Sequence, residues 1–178
     1  PDGDGIVRRG RAVLSDGKVS LPALGLRLAL KARGQSAEAI SLSPDGFVRG
    51  EGWDIPTDHH GNVLLDYAGP DGTFLRIPYW DVLNGRIPGS LFRDRIVLIG
   101  ATASGLMDHF ASPFSPHHAG VAVHATLAHN ILSGRYIEVS EPAWDWAVTW
   151  LLAFLAGAVV LTVSPVWAGL AALGLVGA

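Results

Sequence analysis

Charge stops abruptly in this sequence. Asp145 is the last charged residue of 178, and no residue after it carries a charge. From Trp146 to Val163 the chain reads WAVTWLLAFLAGAVVLTV. Its apolar residues go all the way round a helix instead of forming a stripe, the pattern of a helix buried on every side or lodged in lipid. A hydrocarbon core of about 30 Å asks for roughly 20 such residues. Trp144, Trp146 and Trp150 crowd one end and Trp167 lies past the other, as interfacial aromatics do. Ser164-Pro165 then breaks the helix, and Val166 to Ala178 begins a second apolar segment. The expected organisation is a folded domain over residues 1–142, a transmembrane helix over 143–164 and the start of a second over 165–178. With no initiator Met, and an apolar run still open at Ala178, the sequence reads as a piece of a longer protein.

Every charged residue except Asp145 precedes Pro142. The charges nearest the apolar run are Glu138, Glu141 and Asp145, with Arg135 the closest cation. A flank poor in Lys and Arg favours the outer side of the membrane for the folded domain. Net charge is −3 and the densest basic cluster is Arg8, Arg9 and Arg11, which is no nucleic-acid stripe. The absence of cysteine excludes a disulfide scaffold and a thiolate metal site.

Residues 1–142 read as an α/β domain with a mixed or mostly parallel central sheet flanked by helices. Pro22 to Ala32 has Leu21, Leu24 and Leu28 at helical spacing. Asn62 to Tyr67 suggests a short strand after the Gly61 turn. Ile77 to Leu83 suggests a short helix or an extended arm, ended by Asn84-Gly85. Arg95-Ile-Val-Leu-Ile-Gly100 is the clearest strand, and its four consecutive apolar residues predict burial on both faces. Gly120 to Val123 reads as a second buried strand or a strand-to-helix transition. His124 to Ser133 reads as a helix closed by Gly134.

The chemistry-bearing patterns are sparse. Gly100-Ala-Thr-Ala-Ser-Gly105 follows the strongest strand, where α/β folds place ligands. Leu106-Met107 stands where a phosphate loop needs Lys and a hydroxyl, and no G-x-G-x-x-G occurs. Five of seven histidines, His109, His117, His118, His124 and His129, fall within 21 residues. His124 and His129 are about 140° apart on a helix, so they share no face, and adjacent His117 and His118 point apart in an extended loop. The expectation is exposed loop histidines with His124 packed, and no metal site. Asp2-Gly-Asp4-Gly5 is explained by an Asp-Gly turn, since a calcium loop needs a Glu at its twelfth position and Val13 stands there. No nucleophile elbow occurs, because Thr102 replaces the first Gly before Ser104. No cofactor is implied.

Taken together, several segments resemble the CHASE2 family of extracytoplasmic sensor domains. They are Asp4-Gly-Ile-Val-Arg-Arg9, Gly72-Thr-Phe-Leu-Arg-Ile-Pro-Tyr79 with Asp81-Val-Leu-Asn-Gly85, and Arg95-Ile-Val-Leu-Ile-Gly-Ala-Thr102. Gly105-Leu-Met-Asp108, Ser112-Pro-Phe-Ser115, Gly120-Val-Ala-Val-His-Ala125 and Asn130-Ile-Leu-Ser-Gly134 follow in the family's order. The resemblance implies a sensory input module of a membrane receptor. Its cytoplasmic output would be a nucleotide cyclase, histidine kinase, serine/threonine kinase or diguanylate cyclase. It supplies neither an agreed ligand nor catalytic residues. Asp108 and His124 fall on its motif positions, and with Thr102 and Ser104 they are the candidate ligand-binding residues. A role for Asp108 and His124 in fixing the fold stays open. The polar His117-His118-Ala119 departs from the family pattern as an insertion-like loop. The expected partners are a small-molecule or stress signal, the membrane and a second copy of the chain, with no nucleic acid. Two rival readings are a membrane-tethered hydrolase using Asp108 and His124, and a dimerisation scaffold without a ligand.

Overall fold

The computed structural model describes residues 2–15, 20–37, 40–70, 72–103, 108–138 and 142–162. It divides into one unit over Pro1–Glu138 and a second over Val139–Ala178. The first unit is mixed α/β. Its strands are β1 (Arg9–Arg11), β2 (Val13–Ser15), β3 (Ser20–Pro22), β4 (Ser41–Leu42), β5 (Phe47–Gly50), β6 (Trp53–Pro56), β7 (Asn62–Leu64), β8 (His109–Phe110) and β9 (His118–Ala119). Its helices are α1 (Leu24–Ala32), the short α2 (Tyr79–Leu83) and α3 (Gly120–Ser133), with a 3-10 turn at Gly89–Phe92.

The pairings correct the expected central sheet. β1 pairs with β7, β2 with β3, β4 with β5 and β6 in a meander, and β8 with β9, all antiparallel. Parallel contact among the described residues is one isolated bridge, Ile6 to Ala111. The reason lies in chain length between strands. A parallel pair needs a crossover of a dozen or more residues, whereas β4, β5 and β6 follow one another through short turns. The strongest predicted strand, Arg95 to Gly100, joins no ladder and stays exposed.

α1 forms as expected, but on a different face. Leucines at 24, 26, 28 and 30 offer a helix two candidate stripes. The buried one is Gly25, Leu26, Ala29 and Leu30, while Leu21 and Leu24 are exposed. Gly25 decides between them, because it lets Leu127 of α3 come within 3.0 Å of where a Cβ would stand. Leu26, Leu30, Leu127 and Ile131 from these two helices then close over Val13, Val48, Ile55, Val63 and Leu65 from the strands.

α3 begins four residues before the expected start, so Gly120 to Val123 is its first turn and not a strand. Its end is as predicted. Gly134 adopts φ 65°, and the Arg135 amide donates to the Asn130 carbonyl at 3.0 Å. Arg33 closes the same end, donating to the Ile131 carbonyl at 2.7 Å.

The second unit contributes α4 (Pro142–Thr162), 21 residues whose described side chains are mostly exposed apolar ones. No helix among the described residues is long and apolar enough to cross a membrane. The expected second apolar segment, 165–178, lies outside the described residues.

Candidate functional site

The first unit folds inward at the corner where the segment after β7, the β8–β9 hairpin and the start of α3 meet. Tyr67 leaves β7 and is buried there, its hydroxyl donating to the Val7 carbonyl at 2.8 Å. Burial pushes its phenol up to about 12. His118 stands edge-on to the Tyr67 ring at 5.3 Å between centroids, and Phe114 meets the same ring at 6.3 Å. His118 is only 4% exposed, whereas His117 beside it is exposed. The expectation of exposed loop histidines is therefore corrected. His118 opens β9, where both residues are buried, while His117 lies in the exposed turn before it.

A cavity of about 10 Å³ lies behind this ring, lined by Gly69, Thr73, Arg76, His118 and Thr126 among others. That is room for about one water. The Thr73 hydroxyl donates to the Pro70 carbonyl at 2.7 Å, and the Thr126 hydroxyl donates to the Ala122 carbonyl at 2.9 Å. A second cleft of about 60 Å³ lies among Leu30, Gln35, Ser36, Gly50 and Trp53. There Trp53 donates to the Gln35 side chain at 2.6 Å and carries the Arg33 guanidinium 5.9 Å from a ring centroid.

The predicted ligand residues do not line the buried corner. Thr102 is exposed and Ser104 lies outside the described residues. Asp108 is exposed beside the start of α3, where its backbone carbonyl accepts the Gly120 amide at 3.0 Å. Its carboxylate lies so close to Gly120 that a Cβ there would stand 2.8 Å from Asp108 Cγ. α3 has no side-chain cap of its own, and a carboxylate beside a helix N-terminus is favourably placed. His124 sits one turn further along α3, half-buried. No hydrogen bond or ion pair joins Asp108 to His124. No group of three metal-ligating side chains that could hold an ion occurs among the described residues.

Two carboxylates elsewhere are held ionised. The Arg8 guanidinium beside Asp4 pulls its carboxyl down to about 2, and the Ile6 amide adds to this. The Asp2-Gly-Asp4 stretch is thus an arginine-locked turn, with Asp2 also meeting Arg9 at 2.6 Å. At Asp58 burial pushes the carboxyl up, but the Asn62 side chain and the amides of Asn62 and His60 outweigh it and hold it low.

Sequence reasoning missed two residues that organise this region. Asn130, 0% exposed on α3, accepts the Asp66 amide at 3.1 Å and donates to the Asp66 carbonyl at 2.8 Å. Its signal was legible as a polar residue among Leu127, Ala128 and Ile131 on a helix. Arg135 then pairs with the Asp66 carboxylate at 2.8 Å.

Fold and site together define a small mixed α/β domain of short antiparallel pairings closed by two packed helices. The chain belongs to the CHASE2 family, whose domain model matches residues 1–164. That family comprises extracytoplasmic sensor domains, sensory and not catalytic. No curated protein and no solved structure matches the chain.

Proposed function

We propose that this chain is the signal-reading input segment of a membrane receptor, held at the outer face of the bilayer and working as a dimer. The observation that carries the reading is the family match over residues 1–164. The exposed apolar surface of α4 and the uncharged sequence that continues to Ala178 support attachment to lipid. The signal is a small molecule or a physical stress. Thr102, Ser104, Asp108 and His124 are the residues the reading assigns to a ligand. The side chains of Thr102, Asp108 and His124 take part in no hydrogen bond or ion pair among the described residues. They are available to a ligand without first breaking an internal bond.

Binding favours one of two arrangements of the domain or its dimer. The following helices carry that difference to a cytoplasmic cyclase or kinase. Moving such an equilibrium from 1:99 to 99:1 takes about 5.5 kcal/mol of differential affinity.

Sidedness tests this directly, because the sequence has no cysteine to interfere. Glu51→Cys, on an exposed turn, is expected to react with a membrane-impermeant maleimide in intact spheroplasts. Reaction only after lysis would put the domain in the cytoplasm and end the sensor reading as stated.

A further inference from the structure

From Gly72 to Gly100 no described residue is buried. Within this arm Leu75, Tyr79, Trp80, Leu83, Ile96, Val97 and Ile99 are all exposed, Trp80 to 67% and Ile99 to 79%. Such side chains leave on the order of 900 Å² of apolar surface in water, given 150–250 Å² for a whole aromatic side chain. Summed along the arm, that is comparable to the ~800 Å² that each partner contributes to a stable complex.

The last part of the arm has a more specific need. Arg95 to Thr102 belongs to no ladder and makes no backbone hydrogen bond among the described residues. Its central residues, Ile-Val-Leu-Ile, have the composition of a strand interior. Edge strands are normally protected by a lysine, a proline or a bulge, and residues 95–102 contain neither lysine nor proline. An extended apolar segment with open backbone groups fits another strand better than it fits water.

We propose that this segment is the pairing strand of a two-fold dimer, joined antiparallel to the same segment of a second copy of the chain. The proposal rests on the dimer of the reading above and gives it a surface. Charge selects the direction. Parallel in-register pairing would stack Arg93, Asp94 and Arg95 on their own copies, and like charges directly opposite destabilise a sheet. Antiparallel pairing centred on Leu98, where a two-fold axis normal to the sheet sets a residue against its own copy, places Val97 against the partner's Ile99 and Ile96 against the partner's Gly100. It places Arg93-Asp94-Arg95 opposite the partner's Ala101-Thr102-Ala103, which are uncharged. Such a contact is isologous and closes at two copies.

The strand is also tied to the proposed ligand side. A Cβ at Gly100 would stand 2.7 Å from a Val121 methyl, so the end of the strand lies directly on the first turn of α3. Asp108 lies against Gly120 in that turn, and His124 follows one turn later. A ligand that moves this turn moves the dimer strand.

The test uses the full chain in detergent, with two differently tagged copies expressed together, one carrying Val97→Cys and the other Ile99→Cys. Mild oxidation is expected to give the mixed disulfide-linked dimer, and Val97→Cys with Ser90→Cys to give none. Val97→Lys combined with Ile99→Lys is expected to raise the dimer dissociation constant at least a hundredfold by sedimentation. Circular dichroism should be unchanged, since both side chains are exposed. A chain that is monomeric at tens of micromolar, or a dimer that neither cross-links here nor weakens with the lysines, overturns the pairing. Neither result bears on the sidedness of Glu51→Cys, so the two readings fail separately.

Discussion

Asn130 stands in for a strand edge from inside a helix. Its amide satisfies both backbone groups of Asp66, just past the end of β7. Asn130→Ala removes both partners from a site that water does not reach, and each unsatisfied buried group costs about 1–3 kcal/mol. The expected loss is about 2–4 kcal/mol in urea unfolding, with the slope unchanged. Asn130→Asp is expected to be nearly as damaging, since a carboxylate oxygen would face the Asp66 carbonyl. Tyr67 gives a second prediction with a pH signature. Its phenol titrates higher when folded than unfolded, so its contribution is complete below about pH 10 and declines as the pH rises toward 12. Tyr67→Phe leaves the buried Val7 carbonyl unpaired and is expected to cost about 1–2 kcal/mol at neutral pH. It should also remove the late phenol ionisation near pH 12 from an absorbance titration. Neither residue's role was legible beforehand. A buried polar side chain shows in sequence only as an oddity on an apolar face, and its partner, a backbone 64 residues away, leaves no trace.

At the scale of elements, periodicity located the helices better than it located their partners. α1, α3 and the helical nature of α4 follow from spacing and from Gly134. The buried face of α1 does not, because alternate leucines satisfy two stripes equally, and the choice depends on what Leu127 meets. Gly25→Ala measures that choice. Alanine improves helix propensity by about 1 kcal/mol. Its Cβ, however, would stand 2.9–3.0 Å from Cβ, Cγ and Cδ2 of Leu127, and overpacking of this kind costs about 1–3 kcal/mol. The steric term is the larger, so the variant is expected to melt a few degrees lower. A rise in melting temperature would mean that α1 and α3 can separate freely. The Arg95–Gly100 segment shows the opposite limit. Its four apolar residues predict a strand buried on both faces, a demand that the segment, exposed and outside every ladder, leaves unmet. No sequence pattern says which chain meets the demand, and within the described residues none does.

For the whole molecule, the division at residue 138 separates a domain that holds nearly every charge from a helix that holds one. The domain's core is closed by its own strands and helices, and Trp53 packs against it. Trp144, Trp146 and Trp150 on α4 are exposed. A helix carrying this much bare apolar surface is unstable in water, because transfer from water favours burial by roughly 25 cal/mol per Å². The first turns of α4 carry its tryptophans Trp144 and Trp146 and its one charge, Asp145, so in a bilayer they would lie at the interface and the rest deeper. Single-tryptophan variants distinguish these depths. In vesicles with bromine placed along the acyl chains, fluorescence of Trp150 is expected to fall several-fold. Trp146 should be quenched most by bromine near the headgroups, and Trp53 should be indifferent to both. Quenching of Trp53 with Trp150 untouched would mean that lipid is met by the α/β domain, and α4 would lose its role as the anchor. The expected order requires only that a helix whose one charge lies in its first turn seek the phase where its apolar side chains leave water, while the domain keeps its polar turns outside. That order also gives the receptor reading its mechanical basis. A signal at the start of α3 is useful to a membrane protein only if the chain that follows is held in the bilayer firmly enough to move with it.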